Sequence, residues 1–270
     1  MLTTNIKPKN GIIDFLGNKR TYEKSGIQFP IELDFHWNIE EDKRVTFALV
    51  EEWSHILSLI ERSLRTSKGN HLSIGGGGDS RLGEVLPANL QNWVIVNPNT
   101  YELQSIHNPR KINTVPIRAI GEILPLEDNS IDTIDFLGTI DHVISPSDVL
   151  QEAYRVSKHG AKLIITVTNS ASWYKKLFKN LHIDFHKSNS HTHAHEYTPD
   201  TLEELLKENN FQSRLIKTTY FLRMPILLEN RFKRSPLRYF RHLISNNVLP
   251  HLLGARNGGI IFCIAESRKL

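Results

Sequence analysis

Apolar residues first recur at helical spacing at Leu49, Trp53, Ile56, Leu57, Ile60 and Leu64, a stripe that a helix buries against a core. Short apolar runs follow: His71-Leu72-Ser73-Ile74, WVIV ending at Val96, TVPI around Val115, IDTIDFL around Ile134, and KLIITV from Lys162 to Val167. Polar, helix-like stretches separate these runs, and the alternation predicts a parallel sheet with helices on both faces. Residues 1–44 carry no such period. They are polar and dotted with aromatics, and they read as an N-terminal arm lying over a domain that spans 45–270.

Two helix starts are written in capping chemistry. Ser145-Pro146-Ser147-Asp148 offers an N-cap hydroxyl, a proline in the first turn and an acidic third residue, and Thr198-Pro199 repeats the opening. Lys158-His159-Gly160 is expected to close the first of these helices, with cations at its negative end and a glycine suited to the left-handed cap.

With 270 residues, 39% hydrophobic and 23% charged, the composition is that of an ordinary soluble globular protein, and no internal repeat appears. No stretch reaches the roughly 18 uninterrupted apolar residues of a membrane span, and the first residues lack the pattern of a secretion signal, so a cytoplasmic protein is expected. The single cysteine, Cys263 in GIIFCIA, excludes an internal disulfide and reads as a small buried hydrophobe. A net charge of +4 does not by itself separate a nucleic-acid binder from an enzyme.

Candidate chemistry begins at HLSIGGGGDSRLGEVL, where Gly75, Gly76, Gly77 and Gly78 lie between an apolar strand and an expected helix. Without β-carbons such a turn lets a ligand approach the backbone, and free amides at the helix start favour polar or anionic groups. The dinucleotide fingerprint wants a third glycine where Ser80 stands, and no Gly-Lys-Ser/Thr follows Gly78, so nicotinamide and phosphate-loop readings both lose ground.

The stretch RAIGEILPLEDNSIDTIDFLGTIDHVISPSDVLQEAYRVSKHGAKLIITV, from Arg118 to Val167, carries Glu122, Leu124, Pro125, Asp128, Ser130, Asp132, His142, Leu150, Glu152, Arg155, Val156, Lys158 and Gly160 at family spacing. It resembles the central block of type-11-like class I S-adenosylmethionine-dependent methyltransferases, and HEYTPDTLEELLKENNFQ is similar to that family's later helix before its sixth strand. The resemblance implies a Rossmann-like α/β fold with a seven-stranded, mostly parallel sheet, an antiparallel last hairpin, and S-adenosyl-L-methionine lying across the carboxyl ends of the strands. Carried over by position, Ser73 stands at the acidic position before the loop, Gly75 and Gly77 pass beneath the methionyl part, and Asn97 faces the ribose. Gly121 and Glu122 flank the adenine, and Gly138, Thr139 and His142 border the methyl-transfer side.

Where family members usually carry acids, this chain has Ser73, Asn97 and Ile120. Each lost charge-assisted hydrogen bond costs on the order of 1 kcal/mol, which supports a second reading: a catalytically silent methyltransferase-fold protein that serves as a binding or partner subunit.

Methyl transfer from a sulfonium needs positioning and exclusion of water more than activation. For a hydroxyl acceptor, His142 or Asp141 supplies a base, with a structural hydrogen-bonded histidine as the alternative. His182, His186, His191, His193 and His195 read as a surface or substrate-side loop, and no metal is assigned to them. A basic, aromatic-rich insertion at about 221–250, including Arg231, Lys233, Arg234, Arg238 and Arg241, suits an anionic membrane surface or a phosphate-bearing substrate, or forms a solvated amphipathic cap. The expected acceptor is a small molecule, a glycan or a lipid-linked intermediate. Nucleic acid is disfavoured, because Asn97-Pro98-Asn99 ends the second strand rather than forming a catalytic Asn-Pro-Pro-Tyr motif.

Overall fold

The computed structural model describes residues 8, 10–24, 27–31, 47–180, 194–221 and 243–269. The helical stripe becomes α1 (Phe47–Leu64), and the apolar runs become β4 (Gly69–Ile74), β5 (Leu90–Val96), β6 (Thr114–Arg118), β7 (Ile131–Leu137) and β8 (Ser157–Thr168). They join β1 (Ile13–Asp14), β9 (Phe211–Thr219) and β10 (Ile260–Ser267) in one sheet of order β1-β6-β5-β4-β7-β8-β10-β9. All pairings from β1 to β8 are parallel, and β10 runs antiparallel to both β8 and β9.

The sheet has eight strands where seven were expected. The additional one comes from the arm: β1 pairs with β6 in parallel, Ile13 opposite Ile117, and its neighbour Asp14 accepts a hydrogen bond from Arg118 at 3.1 Å. A two-residue strand flanked by polar residues carries no alternation long enough to read. The arm also forms the hairpin β2 (Thr21–Lys24) and β3 (Ile27–Pro30).

Side chains alternate across the sheet and build two cores. On one face Leu72, Ile74, Val94, Val96, Leu163 and Ile165 meet α3 (Pro146–Val156) and α5 (Pro199–Glu208) through Val149, Leu150, Leu202 and Leu206. On the other, Ile56, Ile60 and Leu64 of α1 cover Trp93, Ile95, Ile164 and Phe262. Cys263 is fully buried on β10, and burial pushes its thiol up to about 12, so it behaves as a core residue.

Both helix starts have the expected caps. Ser145 accepts from the Asp148 amide with Pro146 in the first turn, and Thr198 and Thr201 form a capping box. The expected end at Gly160 is corrected: α3 stops at Val156 and the chain turns at once into β8. Lys158 therefore pairs with Asp132 at 2.8 Å across the sheet instead of serving the helix end. Between β8 and α5 lies α4 (Trp173–Asn180), and near the end a five-residue π-helical turn (Ile244–Val248) leads into a short helix, Leu249–Leu253. No described helix is long and apolar enough to cross a membrane.

Candidate functional site

The carboxyl ends of β4, β5, β6 and β7 meet at one edge, where the strand order reverses between β4 and β7, which is where open α/β sheets bind ligands. The glycine run leaves β4 here. Gly75 takes φ +74°, and a β-carbon on it would come within 2.3 Å of the Thr139 side chain, so both conformation and space demand glycine. Gly77 is extended, and its requirement comes from space alone: a β-carbon there would lie 2.3 Å from a Glu102 carboxylate oxygen.

The expected helix after the loop is absent. Two three-residue 3₁₀ turns, Gly78–Ser80 and Leu82–Glu84, replace it, separated by Arg81 in the left-handed region at φ 53°. No α-helix follows the loop directly, so its own anion-binding capacity rests on individual amides. The Gly75 amide donates to Val96 and the Gly78 amide to Glu102 Oε2 at 3.1 Å. Between them, the amides of Gly76 and Gly77 have no partner among the described residues, although Gly77 is buried. A buried amide such as that of Gly77 is normally matched by an acceptor, and the Gly76 amide beside it is half-buried, so the loop offers two adjacent donors to a ligand's acceptor group.

Asn97, at the end of β5, is 8% exposed. Its Nδ2 donates to the Gly76 carbonyl at 3.0 Å and its Oδ1 accepts from the Asn99 amide at 2.8 Å. It thus clamps the loop and the following turn. Thr139 stands across from Gly75, and Gly138, at φ +66° with open space around it, is exposed at the end of β7. The structure brings Gly75, Gly77, Asn97, Gly138 and Thr139 together.

The three other cofactor candidates are engaged by the protein itself. Ser73 is fully buried on the α1 side of the sheet: its hydroxyl donates to Asp135 at 2.6 Å and accepts from the Trp93 indole at 2.9 Å, while His71 contacts the same Asp135 oxygen at 2.7 Å. Ser73 serves this core network, because a strand residue next to an inward-facing carboxylate has no route to the sheet edge. Gly121 is packed against Ile74 and Val149, where a β-carbon would sit 2.9 Å from Ile74. Glu122 is buried and turned toward α3, accepting from the amides of Ile144 at 2.8 Å and Ser145 at 3.2 Å. Burial raises its carboxyl above the usual range, and these amide bonds oppose the rise.

The arm closes this half of the edge. Leu16 and Ile31 bury Ile120 between them, and Lys24 and Tyr22 anchor the hairpin to the start of α3. Lys24 donates to Ser145 at 2.7 Å and to Asp148 at 2.9 Å, and the Tyr22 hydroxyl donates to Asp148 at 2.9 Å. Desolvation opposes ionisation of Asp148, yet the bonds from Lys24, Tyr22 and Ser145 hold its carboxyl below the ordinary range. Burial and the neighbouring Asp148 push the Tyr22 hydroxyl up to about 12.

Beyond β7, Asp141 is 2% exposed at its side chain and His142 19%, with His142 Nε2 4.0 Å from Asp141 Oδ1. The His195 amide donates to the Asp141 carbonyl at 3.2 Å, and His195 Nε2 lies 3.0 Å from the Val143 carbonyl. Burial, followed by the Asp141 charge, raises the Tyr197 hydroxyl well above its normal range. Asp141, His142, His195 and Tyr197 thus share one corner of the edge. The other candidate histidines, His182, His186, His191 and His193, lie outside the described residues, as do 222–242 of the basic insertion. Among the described residues no cluster of histidine, cysteine or carboxylate could hold a metal.

Glu102 escaped the sequence reading. Asn99 and Glu102 stand three apart at the start of α2 (Thr100–Gln104), the spacing of a capping box. Asn99 does cap the helix, accepting from the Tyr101 amide, but Asn97 takes the Asn99 amide, and Glu102 reaches the glycine loop.

A family model described as a methyltransferase domain matches residues 47–215. An uncharacterized protein of Methanocaldococcus jannaschii is 25% identical over 165 residues, 61% of this chain and 74% of that protein. Among solved structures, a SAM-dependent methyltransferase of Thermotoga maritima superposes with a TM-score of 0.50 at 19% identity, covering 82% of this chain and 94% of that one. A SAM-dependent methyltransferase of Methanosarcina mazei gives 0.51 at 18%, covering 77% and 96%. The [4+2]-cyclase SpnF gives 0.53 at 14%, covering 79% and 80%. At these identities the structural likeness is one of fold, whereas the family model spans well over half the chain. The chain belongs to the methyltransferase domain family and has the class I S-adenosylmethionine-dependent methyltransferase fold.

Proposed function

We propose that this protein transfers a methyl group from S-adenosylmethionine to a small-molecule, glycan or lipid-linked acceptor. The observation that carries the reading is the pair of unpartnered amides at Gly76 and Gly77, at the switch point of a methyltransferase sheet. Their chemistry fits the carboxylate of a methionyl group, which accepts hydrogen bonds and carries the charge that backbone donors favour. When bound, the cofactor supplies a methyl group already activated on a sulfonium.

The chain's own residues then have three tasks. Gly76 and Gly77 hold an anion, and Asn97 fixes the carbonyl side of the loop so that their donors stay in place. His142, partly exposed beside the buried Asp141, accepts a proton from a hydroxyl or ammonium acceptor, with the Asp141 charge stabilising the imidazolium. Leu16, Ile31 and Ile120 keep water out of the neighbouring half of the edge. Leu243, Val248 and Leu252, exposed at the end of the basic insertion, support contact with an anionic membrane and so favour a lipid-linked acceptor.

A second reading keeps the fold and drops the chemistry. Both polar atoms of Asn97 are engaged by backbone, and Ser73 and Glu122 are held within the protein, so no described carboxylate stands at the ribose or adenine positions of the family pattern. SpnF, a cyclase on the same fold, illustrates that such a sheet does not dictate methyl transfer. Calorimetric titration with S-adenosylmethionine and S-adenosylhomocysteine, with Gly77→Arg as steric control, separates the two. Micromolar binding lost in the control supports the enzyme, and no binding at millimolar ligand supports the silent fold.

A further inference from the structure

We infer that Glu102 is the positioning residue of the glycine loop, a buried carboxylate that keeps the Gly76 and Gly77 amides unpaired and side by side. The inference rests on the methyltransferase reading and adds a residue that the family pattern does not supply. The loop is gripped from two sides: Asn97 donates to the Gly76 carbonyl, and Glu102 accepts from the Gly78 amide two residues later. The peptide unit that carries the Gly77 amide is the one whose carbonyl Asn97 holds, Glu102 fixes the next unit through the Gly78 amide, and the Gly76 amide lies between the Gly75 amide bonded to Val96 and that clamped carbonyl. Glu102 is 8% exposed and presses on Gly77 closely enough that no side chain fits there. A charged acceptor on a buried amide is among the stronger hydrogen bonds available, so it can hold a helix-less loop whose own bonds are few.

Charge placement supports the same conclusion. At the end of β5 the chain carries neutral Asn97, and the carboxylate that holds the Gly78 amide comes from Glu102 in α2. There it acts on the backbone from behind, through Gly78, and leaves the donors of Gly76 and Gly77 to the ligand. Glu102 is thus a positioning residue, not a catalytic one.

The test compares wild type, Glu102→Gln and Glu102→Ala by calorimetry with S-adenosylmethionine, alongside thermal melting and the amide resonances of Gly76–Gly78. A glutamine keeps a carbonyl acceptor for the Gly78 amide and an alanine does not. Glu102→Ala is expected to weaken binding by about tenfold or more, and Glu102→Gln to recover it to within about threefold. The Gly78 resonance should move in the alanine variant and stay near its wild-type position in the glutamine variant. Wild-type affinity in Glu102→Ala overturns the inference, as does an equal loss in both variants accompanied by an equal drop in melting temperature. Absence of binding by the wild type itself overturns the functional reading, and this inference with it, an outcome distinct from failure of Glu102 alone.

Discussion

Two halves of the same sheet edge are built by opposite means. Over β4 and β5 the chain bares its backbone: four glycines, two unpartnered amides, and polar side chains that hold the loop from the flanks. Over β6 and the start of α3 it covers everything: Leu16 and Ile31 lie on Ile120, Glu122 faces inward to two amides, and a lysine and a tyrosine tie the arm in place. The difference locates recognition. The first half offers directional donors to an anionic group, and the second offers enclosure, with charge held inside the protein.

The sharpest way to break this contrast is Ile120→Asp, which puts an acid where the family usually has one. If Ile120 is sealed beneath the arm, an unpaired carboxylate there is expected to cost about 3 kcal/mol in denaturant unfolding and to weaken cofactor binding. Tighter binding would show that the position faces the ligand.

Next in size is Gly75→Ala. Its left-handed conformation and the closeness of Thr139 are expected to cost about 2 kcal/mol and to reduce S-adenosylmethionine affinity, whereas Gly138→Ala, with a similar φ but open space, should cost only about 1 kcal/mol.

A smaller effect concerns Glu122. Its folded-state carboxyl is raised by burial, so its favourable contribution is fully present below the ordinary value of 4.5 and is lost as pH rises through the folded value. Glu122→Gln keeps an acceptor without the charge. Its melting temperature should therefore exceed that of wild type at pH 7, and the gap should close on acidification below about pH 4.

The smallest effect is expected at the hairpin anchor, which is partly exposed to solvent. Tyr22 is raised to about 12 in the folded protein, so its contribution is fully present below pH 10 and disappears as pH rises through 12. Tyr22→Phe should remove that alkaline step from an absorbance titration at 295 nm and cost no more than about 1 kcal/mol at neutral pH.

Much of the fold was legible because its signals are redundant. The buried strands are near-continuous apolar runs, and both helix starts carry hydroxyl, proline and acid together, so β4 to β8, α3 and α5 fall close to where the pattern puts them. Four features were not legible, each for a physical reason. β1 is only two residues long, too short to show an alternation, and its Asp14–Arg118 bond joins positions far apart in sequence. The missing helix after Gly78 reflects a chain that turns twice through 3₁₀ geometry around a left-handed Arg81, a conformation that arginine does not advertise. At the site, position along the family pattern singled out the loop and Asn97, which the fold puts at the switch point, but not which way Ser73 and Glu122 point. Ser73 faces Asp135 because strand residues alternate between faces, and Glu122 faces the amides of Ile144 and the N-cap Ser145, which lead into α3 and find no carbonyl partner in the helix. Glu102 was hidden behind a capping spacing that Asn97 pre-empts.

The measurement that bears most directly on the account is amide hydrogen exchange at Gly76 and Gly77, followed by NMR with and without S-adenosylmethionine. Protection at these two amides that appears on adding the cofactor, with little change at Ile144 and Ser145, is the expected result. Unchanged exchange at Gly76 and Gly77 under saturating cofactor, or protection confined to the arm and the start of α3, would contradict it.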